Sequence, residues 1–155
     1  MKTVRFEVNG EAIQVDVETH WTLLQVLRQT LHLTGTRAAC EMGDCGSCTV
    51  ILNDRAVNAC LVLAVEVEGG SVQTIEGLAR DGILHPIQRA FVEHGAIQCG
   101  FCTPGMVMAA KAFLDRNPHP TEDEVRHGLA GNLCRCTGYV KVIEAVIAAS
   151  QEIGR

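Results

Sequence analysis

Apolar and polar residues alternate from the start of the chain. Val4, Phe6 and Val8 are separated by charged residues, and Ile13, Val15 and Val17 alternate again after Asn9-Gly10. A period of two marks a half-buried strand, and Asn-Gly between two such runs is the signature of a type I′ hairpin. Thr22-Leu-Leu-Gln25 has the form of a capping box, in which the threonine and glutamine side chains each satisfy the other's backbone N–H. It opens a predicted helix that carries Leu23, Leu24, Val26, Leu27 and Leu31 and ends at Gly35. A Gly- and Cys-rich loop follows at 40–48. Thr49 to Leu52 then reads as a short strand that turns at Asn53-Asp54 into another at 56–58, and Ser71 to Ile75 reads as the last strand.

Beyond Gly77 the period changes to that of helices. Pro86 occupies the first position of a helix reaching His94. Thr103-Pro104 opens a second that runs to Arg116, with Val107, Ala110 and Leu114 on one stripe, and Asn117-Pro118 ends it. Thr121-Glu-Asp-Glu124 is another capping box, leading to Leu129. The fourth helix runs from Tyr139 to Glu152 and turns Val140, Ile143, Val146 and Ile147 inward. The expected class is α+β, with a β-rich part at 1–76 and a four-helix part at 77–155. The change falls where Gly69, Gly70, Gly77 and Gly82 cluster.

Composition narrows the function. The chain has 155 residues, 47% of them apolar and 20% charged, enough for one compact domain or two small ones and unlike a disordered chain. Its net charge is −5 and it has no lysine or arginine cluster, which argues against nucleic acid as a partner. The start lacks the apolar stretch of a signal peptide, and the longest apolar run, Ala59 to Val65, is too short for a membrane span. A cytoplasmic protein is expected. The exceptional residue is cysteine, with eight copies at 40, 45, 48, 60, 99, 102, 134 and 136. In a reducing compartment such closely spaced cysteines hold metal more often than they pair with one another.

Cys40, Cys45, Cys48 and Cys60 have the spacing C-x4-C-x2-C-x11-C. That is the plant-type pattern of a 2Fe–2S cluster, in which one loop supplies three thiolates and a remote cysteine closes the cage. Gly43 and Gly46 allow the backbone to wrap closely and turn amide N–H groups toward sulfur. A zinc knuckle would favour two C-x2-C pairs instead. The remaining four, Cys99, Cys102, Cys134 and Cys136, are ambiguous by spacing, which suits a cluster, a zinc site or a dithiol pair. Each pair directly precedes a predicted helix, whose N-terminal dipole favours an anionic cluster. Glycines 100, 131 and 138 flank them.

Other residues read as bland. The histidines at 20, 32, 85, 94, 119 and 127 match no cysteine spacing and are expected to be solvated or packed. Glu41 and Asp44 form an acidic rim, Arg135 a surface charge, and Met42, Met106 and Met108 packing. The first cysteine loop is expected to be partly exposed, and the second set to be buried under helices. The chain has no Gly-rich dinucleotide fingerprint and no general base or nucleophile in a recognisable setting.

Cys-Glu-Met-Gly-Asp-Cys-Gly-Ser-Cys-Thr-Val at 40–50, Gln-Cys-Gly-Phe-Cys-Thr-Pro-Gly at 98–105 and Gly-Asn-Leu-Cys-Arg-Cys-Thr-Gly-Tyr at 131–139 resemble the iron–sulfur subunit of the molybdenum hydroxylases. This is the xanthine dehydrogenase and aldehyde oxidoreductase family. The resemblance spans essentially the whole chain and all eight cysteines. It implies a β-grasp, plant-ferredoxin-like domain followed by a four-helix domain, with one 2Fe–2S cluster in each. It implies that Gln98 and Cys136 touch a molybdopterin cofactor held by a large partner subunit. It also implies that the other cluster faces FAD on a third subunit, in a dimer of heterotrimers. Such a chain is part of an oxidoreductase and turns over no substrate alone. The alternatives are a free-standing ferredoxin-type carrier, the electron-input subunit of a reductase relative such as an aromatic acyl-CoA reductase, and a zinc-binding interaction module.

Overall fold

The computed structural model describes residues 1–154. Strands β1 (Lys2–Val8) and β2 (Glu11–Val17) form the expected antiparallel hairpin, with Val4 opposite Val15 and Phe6 opposite Ile13. Asn9 and Gly10 both have positive φ, 53° and 86°, as a type I′ turn requires. Asn53 and Asp54 repeat the device, at 48° and 63°, between β3 (Thr49–Leu52) and β4 (Arg55–Asn58). With β5 (Ser71–Gln73) the sheet runs β2-β1-β5-β3-β4. β1 and β5 are parallel and the other neighbours antiparallel. β5 ends two residues earlier than its apolar pattern suggests. The Asn9 side chain accepts the Thr74 backbone N–H at 2.8 Å and donates to the Thr74 hydroxyl at 2.9 Å, and a 3-10 turn at Ile75–Gly77 follows.

Helix α1 starts on its capping box. Thr22 Oγ1 accepts from Gln25 N–H at 3.3 Å, and Gln25 Oε1 accepts from Thr22 N–H at 2.8 Å. Only Leu23–Gln25 is α-helical; Val26–Thr30 widens into a π-turn closed by Leu31 N–H to Val26 O at 3.0 Å. The chain leaves this helix at His32, with φ 57°, and not at Gly35. Gly35 instead meets the 3-10 turn after β5. Its N–H donates to Glu76 Oε1 at 2.7 Å, and a Cβ there would lie 2.4 Å from Ile75 Cγ2. A single 3-10 turn, Ala64–Val67, interrupts the apolar stretch before β5.

Among the described residues, the second half holds the four expected helices: α2 (Pro86–Glu93), α3 (Thr103–Arg116), α4 (Glu122–Gly128) and α5 (Val140–Ile153). α2 packs along α5, while α3 lies against β3. Two hydrophobic clusters result. Val4, Val17, Leu23, Leu24, Leu27, Val50 and Val72 fill the one between sheet and α1. Ile87, Phe91, Met106, Met108, Leu114 and Val146 fill the one among the helices. Strand β3 joins them. Val50 faces the first cluster, whereas Ile51, one residue on and so on the opposite face, belongs to the second. Each fully buried side chain of this size contributes about 1.5–3 kcal/mol.

Candidate metal centres

The loop at 40–48 curls because Glu41, Gly43 and Gly46 have positive φ, 52°, 87° and 71°. The curl turns amides inward. Met42 and Cys45 N–H groups donate to Cys40 Sγ at 3.5 and 3.4 Å, and Ser47 N–H donates to Cys45 Sγ at 3.5 Å. The loop is braced from several sides. Arg28 donates to Thr34 O and Thr36 O on the approach to it, and Asn58 Nδ2 donates to Gly43 O at 3.1 Å. Cys60 is brought in by the short segment after β4, where Ala59 N–H donates to Cys48 O at 3.2 Å. Cys48 and Cys60 are buried, while Cys40 and Cys45 are half-buried. The environments differ accordingly. Hydrogen bonds from Met42 and Cys45 lower the Cys40 thiol to about 6, and burial pushes Cys48 up to about 12.

The second set is assembled at helix starts. Cys102 is the N-cap of α3, and Gly100, with φ 80°, folds the chain so that Phe101 N–H donates to Cys99 Sγ at 3.5 Å. Cys134 and Cys136 precede α5, whose N-cap Tyr139 is left-handed at φ 70°. Thr137 gives Cys134 Sγ two bonds, from Oγ1 at 3.1 Å and from N–H at 3.4 Å. Tyr139 closes the turn by accepting Cys134 N–H on its hydroxyl at 2.8 Å. Burial works to raise the Cys134 thiol, but the Thr137 hydroxyl and amide outweigh it and bring it to about 7. Burial raises Cys102 to about 12, and the neighbouring Cys134 thiol adds to this.

The exposure of this set corrects one expectation. It is not buried under helices: Cys99 and Cys136 are exposed, and Cys102 and Cys134 are half-buried. The apolar stripes of α2, α3 and α5 pack against one another and against β3, so the loops at their N-terminal ends remain on the surface. Met42 is likewise 66% exposed and not packing, whereas Met106 and Met108 are buried as expected. Gln98, Arg135, Glu41 and Asp44 are exposed. Five of the six histidines are exposed; His85 is half-buried and caps α2.

The thiols meet in pairs: Cys40 with Cys45, Cys48 with Cys60, Cys99 with Cys136 and Cys102 with Cys134. Among the described residues no three His, Cys, Asp or Glu side chains converge on one ion position. Pairs suit a two-iron cluster, since each iron takes two thiolates. The N–H groups aimed at sulfur suit its negative charge, which they stabilise without adding a counter-ion. The donor sets therefore fit 2Fe–2S clusters.

The two cysteine loops touch. Leu133 N–H, next to Cys134, donates to Cys45 O at 2.9 Å. Buried Asn132 donates from Nδ2 to Gly46 O at 2.9 Å and to Thr49 Oγ1 at 3.1 Å. At the start of α3, a Cβ on Gly105 would lie 2.4 Å from Gly46 O. The Arg37 guanidinium lies over the Phe101 ring, 5.8 Å from its centroid. Residues 6–76 match the family described as a 2Fe-2S iron-sulfur cluster binding domain, and residues 74–147 match the 2Fe-2S binding domain family. The chain is 46% identical over 144 residues to the nicotinate dehydrogenase small FeS subunit of Eubacterium barkeri, covering 93% of this chain and 92% of that one. It is 49% identical over 148 residues to the nicotine 6-hydroxylase small subunit of Paenarthrobacter nicotinovorans, covering 96% and 89%.

The chain belongs to the small iron–sulfur subunits of the molybdenum hydroxylases. Its fold agrees: it superimposes on quinoline 2-oxidoreductase from Pseudomonas putida 86 with a TM-score of 0.96 and 42% identity, over 99% of this chain and 96% of that one. This iron–sulfur subunit is thus an electron-transfer component of a multi-subunit oxidoreductase, and both of its halves are 2Fe–2S binding domains. Among the described residues, no helix is long and apolar enough to cross a membrane. Asn132, Thr137, Tyr139 and Arg37 carry none of the cysteine-spacing signal, so spacing could not mark them as functional. Three of them lie within the 131–139 motif, but their roles depend on contacts that the motif does not state.

Proposed function

We infer that residues 1–76 hold one 2Fe–2S cluster through Cys40, Cys45, Cys48 and Cys60. Residues 77–155 hold the other through Cys99, Cys102, Cys134 and Cys136. When bound, these clusters supply one-electron steps between a molybdopterin centre on a large partner subunit and FAD on another. Gln98 and Cys136 face the pterin, which their exposure supports. Phe101, Leu133 and Val140, the last of which faces outward and not inward as its helical pattern suggests, are also exposed on or beside the loops of the second set, and an apolar partner surface would cover them. Met42 and Leu61 form the corresponding apolar exposure beside the first loop. The holoenzyme is a cytoplasmic dimer of heterotrimers, and its substrate is chosen by the large subunit.

The observation that carries this reading is the joining of two thiol-pair sites by direct hydrogen bonds between their loops. Arg28, Asn58 and Thr137 hold the loops in shape, and backbone amides stabilise negative charge at sulfur. The test is Cys60→Ser in the purified complex. Iron falls from about four to about two per chain, with acid-labile sulfide falling in parallel. The paramagnetic signal of the second cluster remains reducible by substrate, while electron delivery to the flavin stops. Loss of both signals together would defeat the division at 76–77, and stoichiometric zinc in the unaltered protein would defeat the cluster assignment itself.

A further inference from the structure

We propose that Asn132 is the positioning residue that sets the separation of the two cluster sites, by clamping the first cysteine loop to the second through its carboxamide. The inference rests on the cluster assignment above. Asn132 is 8% exposed and lies two residues before Cys134. Its Nδ2 reaches 86 positions back along the chain to Gly46 O, at 2.9 Å, between Cys45 and Cys48. The same nitrogen donates to Thr49 Oγ1 at 3.1 Å.

The hydrogen-bond pattern calls for a group with two protons to give. Thr49 Oγ1 spends its own proton on Gly46 O, at 2.6 Å, so it meets Asn132 as an acceptor. Gly46 O is an acceptor by nature and also takes Thr49 N–H, at 3.0 Å. Two acceptors therefore face one –NH2, which has two protons to give. An aspartate of the same shape would set carboxylate oxygen against both. The contact is also tight at two glycines: a Cβ on Gly46 would lie 2.5 Å from Gly131 O, and one on Gly105 would lie 2.4 Å from Gly46 O. Beside this clamp runs the bond from Leu133 N–H to Cys45 O, which links a residue adjacent to one candidate ligand directly to another. Electron tunnelling falls exponentially with separation and prefers bonded paths. A side chain that fixes the approach of these loops therefore acts on the transfer step without touching either cluster.

The experiment compares Asn132→Asp, Asn132→Ala and Thr49→Val with Val125→Ala in the intact complex. Val125 is fully buried in α4 and makes no part of the clamp, so its truncation is a control for general loosening. Two quantities are read: the magnetic interaction between the clusters in the fully reduced complex, and the rate at which an electron entering one cluster appears on the other. The aspartate variant weakens the interaction and slows the transfer by at least several-fold. Thr49→Val does so to a smaller degree, and Val125→Ala leaves both at the wild-type value. If the alanine variant fails to assemble, the aspartate and valine variants carry the test. Wild-type coupling and rate in Asn132→Asp, with both clusters present, would overturn the proposal while leaving the cluster assignment standing. Absence of both clusters from the wild-type complex would overturn the two together.

Discussion

At the level of single residues, the environment of each thiol is set by what donates to it. Cys134 receives both the hydroxyl and the amide of Thr137, while Cys102 receives burial and a neighbouring thiol. A donor at sulfur stabilises the more negative, reduced cluster and so raises its potential. Replacing Thr137 by Val keeps the shape and the amide but removes the hydroxyl. If ~1 kcal/mol of that bond is gained only on reduction, its loss lowers the potential of the second cluster by about 40 mV, converted for a one-electron couple. A redox titration followed by paramagnetic resonance reads this directly, and the first cluster serves as the internal reference. A shift of both clusters, or of neither, contradicts the role given to Thr137. The cysteines and their glycines were legible because their spacing is itself the chemistry. Thr137 was not, because a hydroxyl in a loop has many partners available and only the fold chooses among them.

At the level of elements, the caps were readable and the interiors less so. Thr22 and Thr121 cap as their capping-box patterns require, with Thr121 Oγ1 accepting Glu124 N–H. The π-turn at Val26–Thr30 left no mark in the apolar period, because the pattern records which residues are buried and not how many atoms close each hydrogen-bonded ring. α2 holds a titratable cap. His85 Nδ1 accepts Ile87 N–H at 3.3 Å, which only a neutral imidazole can do. Burial, and then the positive charge of Lys111, hold its pKa below the ordinary value. The unfolded chain therefore binds the proton more readily than the folded one. The stabilisation is complete above about pH 6.5 and is lost as the pH falls from there through the lower folded value. Thermal unfolding measured against pH should show this loss in mild acid. His85→Asn, which caps without titrating, should flatten that limb and change neutral stability by no more than ~1 kcal/mol. An unchanged acid limb in the variant would assign the pH dependence to other groups.

For the whole molecule, the decisive feature is how the helical half is seated on the sheet. Strand β3 gives one face to each core, and Gly105 at the start of α3 lies against the first cysteine loop. Gly105→Ala places a methyl group 2.4 Å from Gly46 O and 2.9 Å from Ser47 O, both backbone atoms of a braced loop. The expected cost is about 1–3 kcal/mol, with the first cluster lost more readily than the second. Iron content and the thermal midpoint of the complex measure it; wild-type values for both would show that the loop yields without consequence.

The sequence by itself determined the α+β class, the two hairpin turns, the order of the main strands and helices, and the local spacing of the cysteines. These follow from local rules: alternation, helical period, positive-φ turn residues and ligand spacing all act within a few residues. The tertiary structure alone decided that the second cysteine set lies at the surface, that the helix after Thr22 widens, and that Asn132 meets Gly46 across 86 positions of chain. Those outcomes depend on which face of α3 meets β3 and on which buried polar atoms must find partners there. No short stretch of sequence contains both members of such a contact.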